Sequence, residues 1–251
     1  MYWAEKALDF LRGGLLKEAK MEGKLWENAR FILADVPLDE AAAKAVLPLG
    51  MKLTQPARGT LFISDYTKTA FTVPYHEAAL LIHVRTLFGC GLHCCWMIVD
   101  DDTALILGRE LLGYPKKLGV FEYSEEGDSL SASISRRGVK VLTLEGTRGA
   151  AQSPAPPVFD VKTFNAGGIN QAFAINPIWL LRPHEVIHES YEAEIKVTVG
   201  DSEFDPLARL ISGEATSGRF AVTDILGSKY MFPVGFAGPF WLSRVFNMRV
   251  K

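Results

Sequence analysis

The sequence predicts a mainly β (α+β) fold, an antiparallel curled sheet or barrel with short helices at its periphery. Three observations predict it. From about residue 60, short runs rich in β-branched and aromatic residues recur. Turn-forming clusters separate them, among them Glu126-Gly127-Asp128 and Arg136-Arg137-Gly138. Finally, hydrophobic residues make up 48% of the 251 positions, enough to fill a sizeable core. One domain over residues 1–251 is predicted rather than two, with a helical extension over about 1–27.

Residues 3 to 12 and 15 to 26 place Trp3, Ala7, Phe10 and Leu11, then Leu15, Leu16, Ala19 and Leu25, at helical spacing around a Gly13-Gly14 break. Two short helices are predicted there. A third begins after Asp39, an N-cap residue type, and stops before Pro48. Strands are predicted at Thr60 to Ser64, Cys94 to Val99, Thr103 to Leu107, Ser129 to Ser135 and Val139 to Leu144, with Asp100-Asp101-Asp102 as a hairpin turn. After a loop-like stretch from Gly149 to Pro157, further strands are predicted at Gln171 to Leu181, Val186 to Val199 and Phe204 to Ile211. The segment Tyr75 to Thr86 fits helix or strand. As a strand it puts Tyr75, Glu77, Ala79 and Leu81 on one face, where Glu77 is a carboxylate in a mostly apolar layer.

A formal net charge of -2, with no Lys/Arg block interleaved with aromatics, gives no electrostatic pull toward nucleic acid or anionic lipid. Neither partner is expected. The N-terminal MYWAEKALDFLRGG carries Glu5 and Asp9 and lacks the pattern of a secretory signal, and no apolar run is long enough to span a bilayer. Cys90, Cys94 and Cys95 are odd in number and too close together for a disulfide framework, which points to a reducing cytoplasm.

Several motifs invite chemistry. His184-Glu185-Val186-Ile187-His188 has the spacing of a zinc protease helix, where histidines at i and i+4 share a metal. Pro183 before it and the apolar/polar alternation through Val199 favour a half-buried strand instead. Cys94 and Cys95 on a strand point to opposite faces and cannot converge on one ion, so core cysteine is the better reading. No metal or organic cofactor is expected.

The most informative segment is Gly108-Arg109-Glu110-Leu111-Leu112-Gly113-Tyr114-Pro115-Lys116-Lys117-Leu118-Gly119. A Lys-Lys pair usually belongs to a solvated turn. Here Pro115, Gly113 and Gly119 hold the pair in a shaped loop walled by Leu111, Leu112, Tyr114, Leu118 and Val120. Burial and a second positive charge both disfavour an ammonium ion, and a neutral amine attacks carbonyls.

That segment resembles the signature of the acetoacetate decarboxylase family. More weakly, Asp39 to Pro48 resembles the family's early helix, and Tyr75-His76-Glu77 its Tyr-x-Glu. The resemblance covers about residues 30 to 125; the C-terminal half is similar only in being strand-rich. It implies a Schiff-base nucleophile at Lys116, a modulator at Lys117, an active-site carboxylate at Glu77 and a homo-oligomer. A family glutamate in a Phe-Glu strand is matched by Phe62, and the carboxylate-holding arginine by Ala29, with Arg30 one residue away. Arg30, Tyr114 and Phe62 are therefore the substrate-binding candidates. The expected activity is cofactor-independent decarboxylation of a β-keto acid. The alternatives are a lysine-dependent aldolase-dehydratase acting on pyruvate or another keto acid, and a non-catalytic barrel binding a small ligand.

Overall fold

A computed structural model describes residues 23–167, 176–238 and 240–251. The helices expected at 3–12 and 15–26 lie outside the described residues, apart from 23–26, where Trp26 already opens a strand. In chain order the strands are β1 Trp26–Pro37, β2 Lys52–Leu53, β3 Arg58–Tyr66, β4 Lys68–Thr69, β5 Tyr75–Thr86, β6 Gly89–Val99 and β7 Lys116–Leu118. Then follow β8 Val120–Glu126, β9 Ser129–Arg136, β10 Val139–Ala151, β11 Thr163–Ala166, β12 Pro177–Val199 and β13 Ser217–Phe236. The helices are α1 Glu40–Val46, α2 Asp102–Leu112, α3 Leu207–Leu210, α4 Trp241–Arg244 and α5 Phe246–Arg249.

The fold is mainly β, as expected. Strands pair in the order β11-β6-β5-β3-β1-β13-β12, and β11 also pairs with β12, which closes a barrel of seven strands. Closure removes the edges that an open sheet would expose. Beyond the barrel, β12 pairs with β10, and the sheet curls on through β9 and β8. Arg137 and Gly138, at φ 51° and 79°, turn β9 into β10; a two-residue hairpin with both φ positive matches the right-handed strand twist.

Two apolar clusters divide the sheet. One fills the barrel and includes Ala29, Phe31, Phe62, Tyr66, Tyr75, Ala79, Met97 and Ala221. The other lies on the outer face, where Ile32, Leu61, Leu80, Trp96 and Ile98 pack under the curled β8–β10 layer and the helices. Both faces of β5 are therefore buried, which is why Tyr75–Thr86 shows no clear period in sequence. It is a strand, and Glu77 does face the barrel interior, 6% exposed.

Helix α1 forms where expected: the Asp39 carboxylate accepts from the Ala42 N–H at 2.8 Å, a cap worth about 1 kcal/mol. Three expectations are corrected. Thr103 to Leu107 belongs to α2 rather than a strand, and Asp100 to Asp102 do not form a hairpin turn. Instead Asp101 caps the helix, accepting from the Ala104 N–H at 2.7 Å. Ala104 and Gly108 then bury one face at i, i+4 spacing. The run Phe204 to Ile211 is not a strand either: it carries the short α3, with only a single bridge from Ile211 to Leu38. Strand β13, which joins β1 to β12, was not expected at all. The part of the expected strand Gln171 to Leu181 before residue 176 lies outside the described residues. Among the described residues no helix is long and apolar enough to cross a membrane.

Candidate active site

Helix α2 ends at Gly113, whose φ of 71° closes the last turn in the left-handed region. A Cβ there would also lie 3.2 Å from the backbone of Gly167, a tight approach that adds to the preference for glycine. The chain then reverses through Pro115 into β7, which pairs in parallel with β6: Met97 beside Lys116 and Ile98 beside Lys117. Met97 belongs to the barrel interior and Ile98 to the outer cluster. With a side-chain period of two, Lys116 enters the barrel and Lys117 leaves it.

Inside, Lys116 Nζ lies 2.6 Å from Glu77 Oε2, with the two side chains 6% and 7% exposed. The same ammonium stands 5.7 Å from the centroid of the Tyr75 ring. Tyr66 Oη donates to Glu77 Oε1 at 3.4 Å, and Trp26 Nε1 donates to Tyr75 Oη at 3.0 Å. Burial first, and then the Glu77 carboxylate, pushes both phenols well above their ordinary range, so they stay protonated at neutral pH. Gly108 presses from α2: a Cβ at that position would fall 2.4 Å from Lys116 Cε.

On the opposite face Lys117 Nζ meets Asp205 Oδ1 at 2.5 Å and donates to the carbonyls of Phe204 at 3.0 Å and Asn247 at 2.9 Å. Asp205 also receives Arg136 Nη1 and Trp96 Nε1, each at 2.9 Å. Burial pushes the Lys117 amine down to about 8, against the pull of Asp205.

The remaining candidates separate. Phe62, 1% exposed, sits on an interior rung that runs Leu33, Phe62, Ala79, Met97, Lys116 across neighbouring strands. Tyr114 packs against the same cluster, and burial raises its phenol. Arg30 does not reach this space. It points to the outer face and pairs with both Glu125 oxygens, at 2.7 and 3.0 Å, while Ala29 faces inward. The His184-to-His188 pattern lies in strand β12, as its alternation predicted. Glu185 binds loop backbone, and His188 Nε2 meets Asp224 at 2.8 Å. Cys94 and Cys95 are buried in opposite clusters. Among the described residues no three His, Cys, Asp or Glu side chains are grouped to hold a metal ion. Tyr66 and Asp205 carry no motif of their own; Gly108 opens the lysine segment, but nothing in that motif shows that it packs against Lys116 from a helix.

Residues 16–231 match the family model described as acetoacetate decarboxylase (ADC). The chain belongs to the acetoacetate decarboxylase family. That match extends well beyond the stretch in which the sequence resemblance was specific. The acetoacetate decarboxylase of Chromobacterium violaceum is 32% identical over 122 residues, which are 49% of this chain and 48% of that protein. The one from Ralstonia nicotianae is 30% identical over 122 residues, 49% and 48% of the two chains. The chain thus spans about half the length of the curated relatives it matches. Among solved structures, one described as structural studies of acetoacetate decarboxylase aligns with TM-score 0.75 and 19% identity over 84% of this chain and 88% of the other. The enduracididine biosynthesis enzyme MppR complexed with pyruvate aligns with TM-score 0.66 and 16% identity over 80% and 88%. At such identities these two likenesses establish the acetoacetate decarboxylase fold.

Proposed function

We propose that this member of the acetoacetate decarboxylase family is a lyase that decarboxylates a β-keto acid through a Schiff base on Lys116. The observation that carries the reading is the buried Lys116–Glu77 pair, 2.6 Å apart inside a closed barrel. Proton transfer from ammonium to carboxylate within that pair frees an amine without changing the net charge of the interior. The amine adds to the ketone, and loss of water gives an iminium. The bond to the carboxylate then breaks, its electrons pass into the enamine, and carbon dioxide departs. Forming the iminium uses the proton held by Glu77 to release water, so a second proton, taken up from solvent through Glu77, adds to the enamine carbon, and water hydrolyses the new iminium to ketone and free lysine. The protonated Tyr66 hydroxyl, 3.4 Å from Glu77, holds the carboxylate in register.

A second reading keeps Lys116 and changes the reaction to aldol condensation and dehydration of pyruvate or a similar keto acid. It is favoured by the interior positions Phe62 and Ala29, which present neither an acid nor a guanidinium to a substrate. The fold likeness to MppR complexed with pyruvate supports it.

Incubation with acetoacetate or pyruvate, borohydride reduction and mass spectrometry of the peptides tests both. An adduct on Lys116 with gas release is expected for the decarboxylase. An adduct without release supports the aldolase-dehydratase, and no adduct with either substrate removes both in favour of a non-catalytic barrel.

A further inference from the structure

The glutamate of the His184-to-His188 pattern serves a loop. Glu185 Oε1 accepts from the N–H groups of Val158 at 2.8 Å and Asp160 at 3.1 Å, and Oε2 accepts from Phe159 N–H at 2.9 Å. Consecutive backbone donors converging on one anion make a nest, a strong fixing point for a turn. Arg182 Nε and Lys229 Nζ each lie 2.6 Å from the Asp160 carboxylate. Arg219 donates to the carbonyls of Pro156 at 2.7 Å and Pro157 at 3.0 Å. All four anchoring side chains stand on β12 and β13, so residues 156–160 are seated against the barrel wall.

The seated loop sends Phe159 inward. Its ring meets Phe31 edge-on at 5.0 Å and Phe62 at 5.2 Å, and Val158 and Val161 join the same interior cluster. Phe62 lies on the rung that ends at Lys116, while Phe31 pairs with Ser64, which pairs with Glu77. The three rings therefore bound the interior that Lys116 and Glu77 enter, and they carry no charge.

We infer that Phe159, seated by Glu185, is a specificity-determining wall of the site: its ring sets the length of acyl group accepted beside Lys116, and selects β-keto acids with a short apolar acyl end. This rests on the Schiff-base reading above. The apolar end follows from the cage, because a second charge placed among Phe31, Phe62 and Phe159 would be desolvated without a partner. The length limit follows from the ring packing, because edge-to-face phenyl rings in contact leave no room for added methylenes unless one moves.

The test compares kcat/KM for acetoacetate and 3-oxohexanoate, with Lys116 adducts read by borohydride trapping. Phe159→Ala is expected to raise the ratio of longer to shorter substrate about tenfold or more, and Phe159→Leu, a smaller truncation, to raise it by a lesser factor. Glu185→Gln, which unseats the loop while leaving the ring in the chain, shifts the ratio in the same direction. A merely structural role for Glu185 would lower both substrates alike. An unchanged ratio in Phe159→Ala, with Lys116 still forming its adduct, overturns the inference alone. If that variant does not fold, the ratios in Phe159→Leu and Glu185→Gln decide, and unchanged ratios in both overturn it equally. Absence of any adduct on Lys116 in the unaltered protein overturns the Schiff-base reading and the inference together.

Discussion

Lys116 and Lys117 are adjacent in the chain, yet their ammonium groups serve opposite faces of one sheet: Lys116 meets Glu77 at 2.6 Å inside the barrel, and Lys117 meets Asp205 at 2.5 Å outside it. A cation whose charge is compensated by a carboxylate at contact distance exerts a much weaker field on its neighbour. Any influence of Lys117 on Lys116 then runs through the strand they share, by fixing β7 against Phe204 and Asn247.

The first prediction follows from Lys117 itself. Its amine is pushed down to about 8 from 10.5, chiefly by burial. A folded-state value below the unfolded one means that the unfolded chain binds more protons between these pH values, so stability rises with pH across that window. Below about pH 8 the cost of the buried charge is fully present. In Lys117→Met, Asp205 keeps Arg136 and Trp96 as partners. The difference in urea midpoint between wild type and Lys117→Met should therefore move in favour of wild type from pH 8 to 10. A difference that stays flat across this range would show that the Lys117 amine is not depressed.

Gly108→Ala separates placement of the amine from folding. Alanine is a better helix former than glycine by about 1 kcal/mol. Its Cβ, however, would fall 2.4 Å from Lys116 Cε, and the flexible lysine end must move away. A displacement of the reacting group by about 1 Å can cost on the order of 100-fold in rate. The expected outcome is a chain with a melting temperature close to wild type and turnover reduced by that order. Wild-type turnover in Gly108→Ala would mean that Lys116 does not react from the position described.

Arg30→Ala tests which face holds the substrate. Arg30 forms a two-pronged pair with Glu125, but its side chain is 38% exposed, so solvent screening keeps the stability loss to about 1 kcal/mol or less. Because the guanidinium lies outside the barrel, KM for a keto acid should not change. A tenfold rise in KM would restore Arg30 as the carboxylate holder.

The legible parts of this fold were those in which a single face is buried or a turn is chemically obligatory. Asp39 announced α1, Arg137-Gly138 announced a hairpin, and the alternation after Pro183 excluded the zinc helix. Thr103 to Leu107 misled because a short run of Leu and Ile fits strand or helix equally, and Asp101 caps a helix as readily as it makes a turn. Its C-terminal signal, Gly113, stands inside the lysine segment, where a glycine fits a loop as well as a helix end. The Lys116–Glu77 pair was legible because both residues fall in short motifs. Asp205, 88 positions after Lys117, was not, because an ion pair between distant segments leaves no local period. Arg30 was one residue out of register, and in a strand one residue reverses the face.

Glu77→Gln probes the proton route. The substitution keeps the size of the side chain and an oxygen for Tyr66 and Lys116, but removes the group able to take a proton from the ammonium 2.6 Å away. Loss of a positioned general base typically lowers rate about 100- to 10,000-fold. The adduct should still form on Lys116, more slowly, because the nucleophile itself remains. Single-turnover trapping with borohydride at short times reads the rate of adduct formation directly, apart from carbon dioxide release. If Glu77→Gln forms the adduct and releases carbon dioxide at the wild-type single-turnover rates but regenerates free Lys116 slowly, the carboxylate acts on the enamine and not on the lysine. If all three rates match wild type, Glu77 serves only to balance the charge of a buried lysine.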